Sequence, residues 1–193
     1  EYDPEMAKQV LEEAGWVEGD DGIREKDGQR LEFTCVAISG DSQRRPEAEV
    51  AQQSYREVGM DMQIQEATVD TILEAMVAGE MDMSLFNWTY GGSGGDPDAR
   101  DTLMTGGANN FSNFSNERVD ELLTLGVTEQ DEEARVEIYK EIQAIVAEEV
   151  PFIFLLVFTG FAFYANSVQG LPDSVLNSDN IYPFLFKLWK EEA

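Results

Sequence analysis

Residues 31–88 constrain the fold most, because apolar residues recur there first with a strand period and then with a helix period. The runs "LEFTCVAI" at 31–38 and "MDMQIQEA" at 60–67 alternate apolar and polar residues as half-buried strands do. The run "MDMSLFNW" at 81–88 predicts a third strand. Residues 31–88 therefore predict three strands separated by two intervals of helical length.

Helix-forming sequence with recognisable ends lies between these strands. The first interval predicts a helix with Pro46 at its start and Gly59 at its end, and the second predicts a helix capped by Asp70 and ended by Gly79. Strands and helices that alternate through short connections favour parallel strands with right-handed crossovers. We therefore predict an α/β fold.

The flanking segments predict further local structure. Asp3 caps a helix that begins at Pro4 and ends before Gly15, and turn residues between Ile23 and Gln29 predict a small hairpin. Later in the chain, "NERVDELLTLG" predicts one helix, and a longer helix capped by Thr128 is stopped by Pro151. Beyond about residue 158 the strand and helix pattern weakens, which indicates a different packing unit.

The run "VPFIFLLVFTGFAFYA" is the longest apolar stretch of the chain. It is too short to span a membrane comfortably, and it carries Gly160 in its middle and Pro151 near its start. Its aromatic residues favour strands, so we predict two short strands joined by a turn.

Charge and residue usage exclude several classes of function. The chain of 193 residues carries 39 acidic and 13 basic residues, and its net charge of -26 repels nucleic acid and anionic membranes. We expect no nucleic-acid partner, and a high-salt habitat is the simplest reason for so much scattered acid. With no histidine and one cysteine, the chain lacks His-based triads, His-based zinc sites and internal disulfides. Cys35 is predicted to be buried, and we expect no cofactor and no metal.

The stretch "NWTYGGSGGDPDARD", residues 87–101, is the strongest candidate for a ligand site. It follows the third predicted strand, and open α/β sheets bind ligands outside the carboxyl ends of their strands. Glycine allows close backbone approach, and tryptophan and tyrosine offer flat apolar area with a hydrogen-bonding edge. The candidate ligand-binding residues are Trp88, Thr89, Tyr90, Gly91, Gly92 and Asp96.

Simpler interpretations of the same stretch remain open. Glycine runs are often plain turns, Trp88 suits a core as well as a ligand wall, and Asp96 before Pro97 is common in turns and helix caps. A phosphate loop is disfavoured because the "GxxxxGK[ST]" pattern and a nearby lysine are absent. Paired carboxylates would permit hydrolysis, but nothing in the stretch supplies a nucleophile or a positive clamp.

Five blocks of the chain, in order, resemble the family 5 extracellular solute-binding proteins, which are the dipeptide, oligopeptide and nickel receptors of ABC importers. The resemblance covers nearly the whole chain. The blocks are "YDPEMAKQVLEEAGW" with "DGIREKDGQRLEFT", "VAQQSYREVGMDMQIQE", "GEMDMSLFNWTYGGSGGDPD", "NFSNFSNERVDELL" and "ARVEIYKEIQAIVAEEVPFIFL".

The resemblance implies a receptor without enzymatic activity whose two lobes close on a ligand. Residues 1–160 would form its ligand-binding carboxyl-terminal lobe, a sheet with helices on both faces, and residues 161–193 would return to an amino-terminal lobe that is absent here. The full-length protein would be extracellular, anchored to the membrane and partnered by the permease of an ABC importer. An isolated fragment would expose the surface that the other lobe covers, which predicts self-association.

The resemblance also implies specific site residues. Peptide-binding members contribute a tryptophan at the position of Trp88, followed by an aspartate that pairs with the α-ammonium group of the peptide. That aspartate falls near Gly91 or Gly92, where this chain has no carboxylate. Either the anchor is lost, which would favour a sugar or another polar solute, or Asp96 supplies it.

Two other functions are weighed beside the receptor. A carboxylate-based hydrolase would use Asp96 or Asp98 with a glutamate. An acidic protein-interaction module would bind a partner through its exposed helices. The sequence upstream of Glu1 would separate these hypotheses, because a receptor requires a secretion signal and an amino-terminal lobe.

Overall fold

The computed structural model of the protein describes residues 2–88, 98–157, 165–170 and 187–190. The chain divides into two units, Glu1–Trp88 and Thr89–Ala193.

The first unit begins with a capped helix and a small antiparallel sheet. Helix α1 spans Pro4–Glu13, and the Asp3 carboxylate accepts a hydrogen bond from the Met6 N–H, as predicted. Strands β1, β2 and β3 pair in that order, and positive φ angles at Asp27 and Gly28 form the tight turn of the predicted hairpin. Strand β1 was not predicted. The strands are β1 Val17–Glu18, β2 Arg24–Lys26 and β3 Gln29–Arg30.

A three-stranded parallel sheet forms the centre of this unit. Strand β4 is Glu32–Ile38, β5 is Asp61–Ala67 and β6 is Met83–Ser84, and their order in space is β5-β4-β6. Strands β4 and β5 match their predicted bounds to within one residue. Strand β6 is much shorter than the predicted 81–88, because it pairs with β4 over only two residues. The parallel pairing confirms the prediction.

Two helices connect these strands, and α2 packs on β4 and β5. Helix α2 spans Arg44–Glu57 and α3 spans Val69–Ala78, ending at Gly79 as predicted. The predicted Asp70 cap is wrong: Thr68 Oγ1 accepts from the Thr71 N–H, because β5 ends one residue before Thr68. The α/β fold class is confirmed. The buried core residues of this sheet are Cys35, Ala48, Met62 and Leu85.

The buried side chain of Arg24 joins the antiparallel sheet to the connection between α2 and β5. Its guanidinium donates to the carbonyl oxygens of Val58 and Trp16 at 2.9 Å and 3.0 Å and to the Glu12 carboxylate at 3.1 Å. The neighbouring Gly59 has φ +86°, and a Cβ there would lie 2.8 Å from Arg24 Cγ. A glycine is therefore required beside this arginine.

In its described ranges the second unit contains three helices, and α5 and α6 among them pack extensively on each other. Helix α4 is Arg100–Leu103, α5 is Glu117–Gly126 and α6 is Glu132–Glu149. The predicted Thr128 cap is wrong, because Asp131 accepts from the Ala134 N–H and Thr128 instead donates to Leu125. The core residues of this unit are Leu103, Val119, Leu122, Leu123, Ile138, Ile142 and Val146.

The apolar run after α6 departs from its prediction. Residues 151–157 form no strand because no described strand pairs with them, and residues 158–164 lie outside the described part of the chain. Strands β7 (Val168–Gln169) and β8 (Trp189–Lys190) pair antiparallel. Among the helices that the structure describes, none combines the length and the apolar character needed to cross a bilayer.

Candidate functional site

The carboxyl ends of the three parallel strands lie at one edge of the sheet. Ile38 at the end of β4 is paired with Ala67 at the end of β5, and Val36 is paired with Ser84 at the end of β6. Because all three strands run in the same direction, the segments that follow β4 and β6 leave the sheet at the same edge. This is the edge where open α/β sheets place ligands.

Asp41, in the loop after β4, organises the start of α2. Its Oδ1 accepts from the backbone N–H groups of Gln43 at 2.8 Å and Arg44 at 3.1 Å. These backbone hydrogen bonds, with the adjacent Arg44 guanidinium, hold the pKa of Asp41 below its ordinary value. The carboxylate therefore stays ionised at neutral pH and neutralises the arginine beside it.

The Arg44 side chain links the loop after β4 to the segment after β6. Its guanidinium donates through Nη1 to the Asp41 carboxylate and through Nη2 to Oδ1 of Asn87. The side chain of Arg44 is only 10% exposed. A buried arginine is stable only with such partners, so the contact ties Asn87 to α2 across the sheet edge. We call Asp41, Arg44 and Asn87 the strand-end network.

Trp88 directly follows Asn87 of this network in the sequence, and its predicted ligand-binding role stays a prediction. It is half-buried in the segment after β6, and its ring centroid lies 5.3 Å from that of Phe86, with the planes inclined by 44°. The remaining predicted site residues lie outside the described part of the chain, so their ligand-binding role stays a prediction. They are Thr89, Tyr90, Gly91, Gly92 and Asp96.

Of the two aspartates considered for hydrolysis, Asp98 lies within the described part of the chain and Asp96 lies outside it. Asp98 accepts hydrogen bonds from the Arg100 guanidinium at 2.9 Å and 2.6 Å, and this arginine lowers the pKa of Asp98. A carboxylate held ionised in this way is a poor general acid. Cys35 is buried as predicted, and burial raises the pKa of its thiol to about 11, so a thiolate is scarce at neutral pH. Within the described ranges, His, Cys, Asp and Glu form no cluster of three able to hold a metal ion.

The sequence contained a signal for the strand-end network that was not used. The edge rule was applied to the segment after the third strand, but it applies equally to "SGDSQRR" after β4. The rule places both segments at the same edge, and the spatial order β5-β4-β6 makes them neighbours there.

In this α/β unit an aromatic residue and an ordered polar network follow the carboxyl ends of parallel strands, which is where such folds place ligands. Comparison with known proteins then identifies the family. Residues 1–111 match the bacterial extracellular solute-binding proteins, family 5 Middle, and the chain belongs to this family. The resemblance stated from the sequence is thereby confirmed.

Individual relatives agree with this assignment. Protein XP55 of Streptomyces lividans is 34% identical over 171 residues, which cover 86% of this chain and 30% of the relative. The oligopeptide-binding protein AppA of Bacillus subtilis is 25% identical over 178 residues, covering 91% of this chain and 32% of the relative. The chain thus spans about a third of the length of the relatives it matches.

Solved structures share the fold. The structure of AppA in complex with a nonapeptide superimposes with a TM-score of 0.80 at 24% identity, covering 100% of this chain and 38% of AppA. NikZ from Campylobacter jejuni in complex with Ni(L-His) gives a TM-score of 0.72 at 27% identity, covering 80% of this chain and 32% of NikZ.

Proposed function

We propose that this chain forms one lobe of a receptor that captures a peptide or another small polar solute for the permease of an ABC importer. Trp88 in the segment after β6, next to Asn87 of the strand-end network in a family 5 chain, is the observation that carries the proposal. The ligand is held between this lobe and a second lobe, and it drives closure because it contacts both. The proposal includes an extracellular location and a membrane anchor on the full-length protein.

Peptides are the favoured ligand class. The relatives include proteins named for oligopeptide and dipeptide binding, and one related structure contains Ni(L-His). This chain has no histidine, so a metal complex would have to bring its own imidazole ligands. The indole of Trp88 and the nearby polar groups suit an organic ligand with apolar and hydrogen-bonding parts. A sugar is the second ligand class.

Exposed apolar residues after α6 support the proposal of a second lobe. Five consecutive apolar residues are between 50% and 94% exposed in this chain, and they are Ile153, Phe154, Leu155, Leu156 and Val157. A contiguous patch of this kind marks a surface that another part of the protein covers. We propose that residues 1–160 form the ligand-binding lobe and that residues 161–193 return to the other lobe.

The gene sequence upstream of Glu1 and a ligand screen test the proposal. We expect the upstream sequence to encode a secretion signal, an anchor and another lobe, whereas an unrelated domain would refute the two-lobe arrangement. The full-length product of the gene is then heated in high salt with trialanine, pentaalanine, maltotriose or Ni(II)–histidine. A ligand at 100 times its Kd stabilises the folded state by roughly 2.7 kcal/mol, which raises Tm by several degrees. The receptor hypothesis fails if none of the four compounds raises Tm.

Two tryptophan variants locate the binding site. Trp88→Ala should abolish most of the ligand-dependent rise in Tm, because it removes the aromatic wall. Trp16→Ala removes another half-buried tryptophan of the same unit, and it should keep the rise even if it lowers the Tm of the free protein. Equal ligand-dependent rises in both variants would remove Trp88 from the site.

A further inference from the structure

We propose that Asn87 is a ligand-contacting residue whose side-chain amide donates a hydrogen bond to an oxygen of the ligand, and that Arg44 is the positioning residue that orients this amide. The inference rests on the proposed function, because it assigns a role at the same strand-end site. Asn87 would add a polar contact to the aromatic wall that Trp88 supplies, and in this contact Asn87 is the hydrogen-bond donor.

The contact with Arg44 determines which part of Asn87 is available. An asparagine amide has an oxygen that accepts and a nitrogen that donates two hydrogen bonds. Oδ1 of Asn87 accepts from Arg44 Nη2, so the amide cannot rotate to exchange its ends without losing this bond, and a cation at the second lone pair of Oδ1 would lie beside the guanidinium. Within the described ranges, Nδ2 donates no hydrogen bond to another residue. The two Nδ2 protons are therefore the part of Asn87 that remains for another molecule.

Burial and charge make this orientation persistent. The whole residue Arg44 is 8% exposed, whereas Asn87 is an exposed residue. The guanidinium of the network therefore lies inside the protein and the Asn87 amide lies at the surface. The ionised Asp41 carboxylate neutralises the guanidinium and holds it through Nη1. Releasing Asn87 would leave a buried charged donor without one of its acceptors, which is costly. A donor that is already oriented before binding loses little conformational entropy when the ligand arrives.

The polarity of the exposed group defines the ligand chemistry. Nδ2 donates and cannot accept, so it selects a carbonyl, carboxylate or hydroxyl oxygen and not an ammonium group. For a peptide, a carbonyl or carboxylate oxygen would meet Asn87 while an adjacent apolar part lies on the Trp88 indole. An ammonium group of the same peptide would have to bind elsewhere.

The variant Asn87→Asp tests the donor while preserving the network. An aspartate has the same shape and still offers an oxygen to Arg44, but it has no N–H donor and repels an oxygen acceptor. We expect the Kd of trialanine, measured by calorimetry on the full-length product of the gene, to rise roughly 10-fold or more while the Tm of the free protein stays the same or rises. An unchanged Kd, or tighter binding, would overturn the assignment of Asn87 as a donor.

The variant Asn113→Asp is the matched control for charge. Asn113 is an exposed asparagine in the other unit, and its positive φ of 53° is one that aspartate also tolerates. The same change of net charge there should leave the Kd of trialanine unchanged. If it weakens binding as much as Asn87→Asp, the loss is a general charge effect and the inference is wrong.

A double-mutant cycle tests the positioning role of Arg44. If Arg44 acts through Asn87, Arg44→Met should weaken trialanine binding in the unchanged protein and have little further effect in the Asn87→Ala background. A purely structural role would instead weaken binding equally in both backgrounds, and that result would overturn the role of Arg44.

The ligand measurements separate this inference from the proposed function. If trialanine and maltotriose both fail to bind the unchanged protein, the inference is wrong. If Ni(II)–histidine also fails to bind, the proposed function is wrong as well. If either of the first two binds with the same Kd to Asn87→Asp, only the inference falls.

Discussion

Replacing Arg24 by methionine should strongly destabilise the first unit. Methionine retains an unbranched apolar side chain of similar length, but it removes the donors to Val58, Trp16 and Glu12. The Val58 carbonyl bond is buried and the Trp16 carbonyl bond is partly buried, and each acceptor left without a donor costs about 1–3 kcal/mol. Glu12 is 66% exposed, so water replaces its partner at little cost. The two carbonyl terms together predict a loss of about 2–6 kcal/mol.

Hydrogen exchange at the amides of β4 and β5 measures this loss in the unit that contains Arg24. Exchange reports the free energy of opening of a local cooperative unit, so unfolding of the second unit does not obscure the result. Glu12→Gln is the matched control, and because Glu12 is exposed we expect it to change the opening free energy by less than about 1 kcal/mol. If Arg24→Met and Glu12→Gln have equal effects, the buried carbonyl contacts do not stabilise the junction between the antiparallel sheet and the α2–β5 connection.

Three further predictions concern pH, salt and helix packing. The hydrogen bond from Arg30, together with that from the Ile23 N–H, lowers the pKa of Asp21 from 3.8 to about 2. The ionised Asp21 carboxylate therefore stabilises the folded state fully above about pH 4, and this stabilisation is lost as pH falls to about 2. The difference in urea midpoint between the unchanged protein and Asp21→Asn should shrink over that window, and a constant difference would contradict the pairing. Raising the salt concentration to about 1 M shortens the Debye length to about 3 Å, so the Tm of a chain with net charge -26 should rise, and a fall would exclude self-repulsion as the main salt effect. Gly126→Ala places a Cβ 3.1 Å from Tyr139 Cε2, so Tm should fall relative to the neighbouring exposed variant Leu125→Ala, and a rise would mean that Tyr139 moves aside without cost.

The periodic part of the chain allowed the fold to be predicted, and the ends of its elements were harder to place. Strands β4 and β5 pair with each other along seven residues each, so their alternation is long enough to see. The end of β6 depends on how many of its residues pair with β4, and no local pattern in "MDMSLFNW" indicates that number. The predictions of two helix caps were wrong for a related reason. Thr68 and Asp70 both carry a suitable oxygen, and the end of β5 decides between them.

The strand-end network was not predicted because its contacts join distant parts of the chain. Arg44 stands in the first turn of a helix that is rich in charged residues, where an arginine is normally solvated. Its burial depends on Asn87, which is 43 residues away in sequence and reaches it only because β4 and β6 are neighbours. Local pattern shows the helix, but only the topology of the sheet shows what lies opposite its first turn.

The blocks that carry the family resemblance contain residues that hold the fold as well as residues of the proposed site. The block "DGIREKDGQRLEFT" contains Arg24, which is buried and joins the antiparallel sheet to the connection between α2 and β5, and Gly59 in another such block is required by the packing of that arginine. The match across residues 1–111 therefore includes residues that the packing requires. Asn87 and Trp88 lie within the same matched range, in the segment that follows β6, and they take no part in the contacts of Arg24. The family assignment accounts for the fold, and under the proposed function the identity of the ligand depends on the polar and aromatic groups in the segment after β6.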